Sequence, residues 1–157
     1  MSAPVMTAVN ARSLVDPLFF ARLSARVASA NELDQETAEA ITDQAIAYLA
    51  TCAQKPSDAP SYFMCKTVDP AWHAFLEYTK EYDRFFASHG WAKVHHNPCD
   101  LPGVDYGDPK VMIPQTLAAI EAAGYRVDRD LWTGDLTCDT CGDDGQPGDP
   151  PPCGDHG

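Results

Sequence analysis

The stretch from Asp69 to His89 constrains the fold more than any other part of the chain. Asp69-Pro70 opens it with a capping carboxylate and a proline suited to a first helical turn, and Trp72, Phe75, Thr79, Tyr82 and Phe86 then recur at steps of three and four until Gly90. A strand turns its side chains every two residues and cannot gather that stripe on one face. The pattern therefore predicts one long helix over 69–89 whose aromatic side needs other helices to cover it.

Three further segments supply those helices. Asp16-Pro17 repeats the cap signal ahead of Leu18, Phe19, Leu23 and Val27, which predicts a helix over roughly 17–30. A second begins near Asp34 and runs to about Cys52, with Ala38, Ile41, Ala45, Tyr48 and Leu49 inward and Glu36, Glu39 and Asp43 on a wet side. Leu117 and Ile120 mark the last, from Pro114 to Ala123, closed by Gly124. Trp91 to His96 reads as a short strand or an extended connection broken by Asn97-Pro98, and Tyr125, Val127, Leu131 and Trp132 as an extended segment laid on the core. The expectation is an all-α fold: a small helical bundle of about four helices over residues 1–136, followed by a flexible, acidic, Cys-rich tail over 137–157. At 157 residues and 45% apolar content the chain suffices for one core.

Charge narrows the partners. The formal net charge is -12, and residues 135–157 hold six Asp with no Lys or Arg. Such a surface repels phosphate backbones and anionic membranes, so no nucleic acid and no membrane is expected, and cations or a basic protein are the natural partners. No stretch reaches the ~18 apolar residues of a membrane span, and no secretory signal is readable at the N-terminus. A cytoplasmic location follows as the expectation, and with it thiols or metal thiolates in place of disulfides among the six cysteines.

Two groups of residues carry metal chemistry. In the tail, Cys138, Cys141, Cys153 and His156 read as C-x2-C followed by C-x2-H, two close pairs of soft ligands able to enclose a tetrahedral zinc ion. Between them, Gly142 to Pro152 contains only Gly, Pro, Asp and Gln, so metal is the source of any order there. A closed shell leaves no catalytic position, which makes a non-enzymatic metal-binding accessory or interaction protein the leading reading. An acidic disordered end with incidental cysteines has the same composition. Redox use of Cys138 and Cys141 is disfavoured because Asp139, Asp143 and Asp144 oppose thiolate formation.

The second group lies in the helical part. His73 sits about 100° round the helix from Trp72, with Glu77 one turn on, where the two can meet. His95, His96 and Cys99 follow after a turn, so His73, one of His95 or His96, and Cys65 or Cys99 form a weaker core site with ligand types suited to zinc. Three ligands and a water would be the catalytic form, a metal-dependent enzyme using His73 with His95 or His96. The plain alternative is a His73 that bridges backbone groups beside an ordinary aromatic core. His89 falls near a helix C-terminus, where the dipole favours a cation. No G-x-S-x-G, P-loop, G-x-G-x-x-G or HExxH occurs, so no nucleotide or flavin is expected. A third reading makes the protein a scaffold whose Cys-rich tail another enzyme modifies.

The run Val68-Asp69-Pro70-Ala71-Trp72-His73-Ala74-Phe75, then Thr79 to Tyr82, Gly90 and His95-His96-Asn97-Pro98, resembles a bacterial family of small uncharacterised proteins with VDxxWHxF, TxxY and HHxP motifs, distantly similar to the glycine-rich domain-containing proteins. The resemblance spans about residues 65–133 and implies a Cys-rich tail but no particular activity. This chain has Phe86 where many relatives carry a cysteine, and Phe75 where more distant ones carry a second histidine. A metal site built on those two positions is missing here.

Overall fold

A computed structural model describes residues 7–98, 100–133 and 141–142, and within them the fold is all-α. The six helices are α1 (Pro17–Asn31), α2 (Gln35–Ala53), α3 (Asp69–Glu77), α4 (Thr79–His89), α5 (Pro109–Ala122) and α6 (Arg129–Thr133), preceded by a 3-10 turn at Ala11–Leu14. None is long and apolar enough to cross a membrane.

The first two helices follow their capping residues. Asp16 Oδ1 accepts the N–H groups of Leu18 (2.9 Å) and Phe19 (3.2 Å), and Asp34 Oδ1 accepts that of Thr37 (2.8 Å). The central element is α2, where every residue from Ile41 to Cys52 is buried. Ala45, Ala47 and Ala50 keep its surface low, so α1, α3 and α5 can all pack against it. The expected wet side of α2 is thus only partial: Asp43 is buried and accepts the backbone N–H of Arg12 at 2.9 Å and its Nε at 3.3 Å.

The long helix expected over 69–89 is two helices. Tyr78, with φ -90° and ψ 68°, separates α3 from α4. Its N–H closes a tight turn on Phe75 O, its carbonyl starts α4 by accepting from Tyr82 N, and its ring lies edge-on to Phe19 (5.4 Å) beneath Arg22 and Arg26. The bend lets Phe75, Tyr82, Phe85 and Phe86 share one aromatic cluster that a straight rod would spread along its length. Gly90 ends α4 in the left-handed region (φ 71°), and Trp91 N returns to Phe86 O at 2.9 Å.

Other boundaries also move. Helix α5 starts at Pro109, not Pro114, because Asp108-Pro109 supplies the same cap signal as Asp16-Pro17, and Pro114 lies inside the helix. The segment expected to lie extended after it carries α6, which delivers Trp132 fully buried. Asn97–Pro98, read as a breaker, pairs antiparallel with Cys141–Gly142 in a two-residue ladder, while Val9 bridges Tyr125. At the centre, Tyr48 meets Trp72 at 5.4 Å and Trp132 at 6.3 Å.

Candidate metal centre

Asp69 is the first residue of α3, with Val68 in the capping position. Freed from capping, its carboxylate stays in the favourable field of the helix N-terminus and faces one turn up the same side. His73 stands there, its Nε2 2.8 Å from Asp69 Oδ2. The His73 side chain remains 55% exposed, whereas that of Asp69 is 11% exposed.

The third group arrives on the segment after Gly90. Trp72 Nε1 donates to Tyr82 Oη at 3.0 Å, and the Tyr82 hydroxyl donates to the carbonyl of Val94. That chain of bonds holds the returning backbone against α3, with Val94 itself buried. Two residues on, His96 falls on the same inward side, edge-on to Trp72 at 4.3 Å, with its side chain 7% exposed. Its Nε2 lies 3.4 Å from Asp69 Oδ1, and its ring centroid 4.4 Å from that of His73.

One ligand atom each from Asp69, His73 and His96 therefore lies within 4.8 Å of the other two. Two ligands at ~2.0–2.1 Å from a tetrahedral ion sit roughly 3.3 Å apart. The 3.4 Å from Asp69 Oδ1 to His96 is close to that edge, while the 2.8 Å contact with His73 is made by the other oxygen, Oδ2. The carboxylate therefore has to turn to offer one oxygen to both rings, with the exposed His73 side chain adjusting to it. Two imidazole nitrogens and one carboxylate suit zinc and its first-row neighbours. The three residues also serve the fold, since Asp69 ties the His96 segment to α3 whether or not an ion is bound.

The sequence reading named His73 and left His95 and His96 open; the structure brings His96 to Asp69 and His73. His95 is half-buried and outside this cluster. Asp69 was missed because its position before Pro70 reads as a cap; the signal that finds it is its spacing of four from His73. Glu77 does not meet His73, for it pairs with Arg26 on α1. Cys65 is buried with Sγ 3.5 Å from Leu131 O, away from the cluster. His89 contacts Leu14 O at 3.0 Å and stacks on Trp91, a packing role. Phe75 and Phe86 are core. Cys99, Cys138, Cys153 and His156 lie outside the described residues, and of the tail set only the backbone pairing of Cys141 with Pro98 is seen. No family model, curated protein or solved structure matches the chain.

Proposed function

We propose that the protein binds a divalent transition metal ion, zinc in the first instance, through Asp69, His73 and His96. The observation that supports this reading is the convergence of three ligand atoms within 4.8 Å from two separate segments. An aspartate and two histidines brought together only for packing need not direct their ligand atoms at one point. In this reading the chain is a metal-binding accessory or interaction protein, with the acidic tail available to a basic partner.

A second reading has its own support. Asp69 and His73 also line a surface groove of about 430 Å³. A three-ligand ion beside it keeps a position for water, the arrangement by which zinc sites generate a nucleophile. Metal-dependent catalysis is therefore the alternative to a purely binding role. The proposed tail clip of Cys138, Cys141, Cys153 and His156 is independent of both and would add a second, closed site.

Metal content measured by mass spectrometry on untagged protein separates these. We expect one equivalent in a chain ending at Leu136, its loss in the same chain carrying His73→Ala and His96→Ala, and a second equivalent in the full chain if the tail clip forms. Absence of metal from the truncated chain after incubation with zinc would overturn the core site; metal there would justify a screen for hydrolytic activity.

A further inference from the structure

We infer that the groove beside Asp69 and His73 receives a small oxyanion, a compact carboxylate- or phosphate-bearing molecule, with one oxygen on the open position of the metal and the rest of its charge facing Lys66. This deepens the metal reading and rests on it.

Charge makes the argument. The groove is lined by Arg26, Lys66, Asp69, His73 and Glu77, together with small residues such as Ala74. Its two cations balance its two carboxylates, so a bound dication leaves a local net charge of +2. The chain as a whole has a formal charge of -12, which makes this groove a point of opposite sign where an anion gains from proximity. A cationic ligand would meet the ion head-on, and a neutral one would leave the excess charge unanswered.

The two cations are not equivalent. The guanidinium of Arg26 is committed to Glu77 through both Nε and Nη2, and lies 5.9 Å over the Tyr78 ring. Lys66 is exposed and pairs with no carboxylate among the described residues. Its ammonium is a mobile point charge suited to either class of oxyanion. The residues lining the groove include no aromatic ring other than the His73 imidazole, so it offers little for a nucleobase to stack on. The volume of about 430 Å³ falls in the range of small-molecule sites.

The test uses the full chain carrying Cys138→Ser, Cys141→Ser and Cys153→Ser, so that the tail cannot take the ion, loaded with Co(II), whose visible bands report its coordination. Inorganic phosphate and acetate are titrated separately, with glycerol as a neutral control. We expect at least one anion to shift the bands saturably and glycerol not to. Lys66→Ala should weaken that anion roughly five- to tenfold without changing Co(II) affinity, and Lys66→Arg should restore most of the loss. Which anion acts identifies the class of ligand. Co(II) bound at one equivalent but unmoved by tens of millimolar of either anion, or moved equally in Lys66→Ala, would overturn the inference while leaving the metal site standing. Failure of Co(II) to bind this tail-substituted chain would instead overturn the metal reading itself.

Discussion

At the scale of single residues, the same side chain does different work according to what surrounds it. Asp16, Asp34 and Asp69 all stand at the start of a helix, yet only the first two cap one. Two hydrogen bonds from Thr37, backbone and hydroxyl, hold the Asp34 carboxyl below its ordinary value of 3.8. The carboxylate form is therefore favoured by folding. Its stabilisation is fully present above the ordinary value and fades as pH falls through the lower folded one. Asp34→Ala should lower the melting temperature at neutral pH, and the gap to wild type should close in thermal melts taken progressively below 3.8. A gap independent of pH would mean that the cap acts through shape and not charge. Asp69 differs because Val68 adopts helical backbone before it, which leaves the Asp69 carboxylate pointing along the outside of the first turn toward His73. Asp69→Asn keeps the volume and one acceptor but removes the carboxylate of the proposed metal site. Losing even a second-shell partner costs a metal site about 10–100-fold. We expect zinc affinity to fall by at least roughly 100-fold in a competition titration, with the melting profile of the metal-free protein much less affected.

At the scale of elements, several boundaries set by local chemistry were legible, although the Asp108-Pro109 start of α5 was passed over, and those set by packing were not. Asp-Pro and Asp caps fixed the starts of α1 and α2, and Gly90 fixed the end of α4, because each acts on backbone groups within one turn. The break at Tyr78 has no local cause in sequence. It answers Phe19, Arg22 and Arg26, residues of α1 that meet Tyr78 only once the helices pack. The same holds for α6, whose short turn exists to seat Trp132 against α2. Helix α5 shows what an element can hide: Thr116 donates to Met112 O at 3.0 Å within the helix and accepts the backbone N–H of Phe63 at 2.8 Å. Both bonds are buried, and Thr116 is one anchor for the irregular stretch between α2 and α3, beside the bond from Tyr48 Oη to Tyr62 O. Thr116→Val preserves volume and strands the Phe63 N–H, so a loss of about 1–3 kcal/mol is expected in urea unfolding. Thr116→Ser should recover most of it.

At the scale of the whole molecule, two ties close the fold. Gln44, in the middle of α2, donates to Arg126 O at 2.9 Å, while its carbonyl accepts from Asp128 N at 3.0 Å and from Trp132 Nε1 at 2.8 Å. One side chain thereby joins three points of the segment after α5 to the centre of α2. Gln44→Leu leaves the buried Trp132 Nε1 unanswered and frees the part-buried bonds to Arg126 O and Asp128 N, and should cost roughly 1–3 kcal/mol, read as a shifted urea midpoint, with accelerated amide exchange concentrated at residues 126–132. The second tie is the Asp69, His73 and His96 cluster. An ion bound there links α3 to the segment after α4, and zinc at 100 times its dissociation constant should add about 2.7 kcal/mol of stability. His96→Ala should abolish that increment in a thermal shift assay; an undiminished shift would place the zinc elsewhere. By itself, the sequence determined the all-α class, the caps of α1 and α2 and many of the apolar positions that are buried, because periodicity and capping act within a few residues of chain. Only the tertiary structure decided which histidine joins His73 and that Asp69 stands between them. His96 and Asp69 are separated by 27 positions. What brings them together is the path set by Trp72, Tyr82 and Val94, a chain of hydrogen bonds whose direction no local pattern encodes.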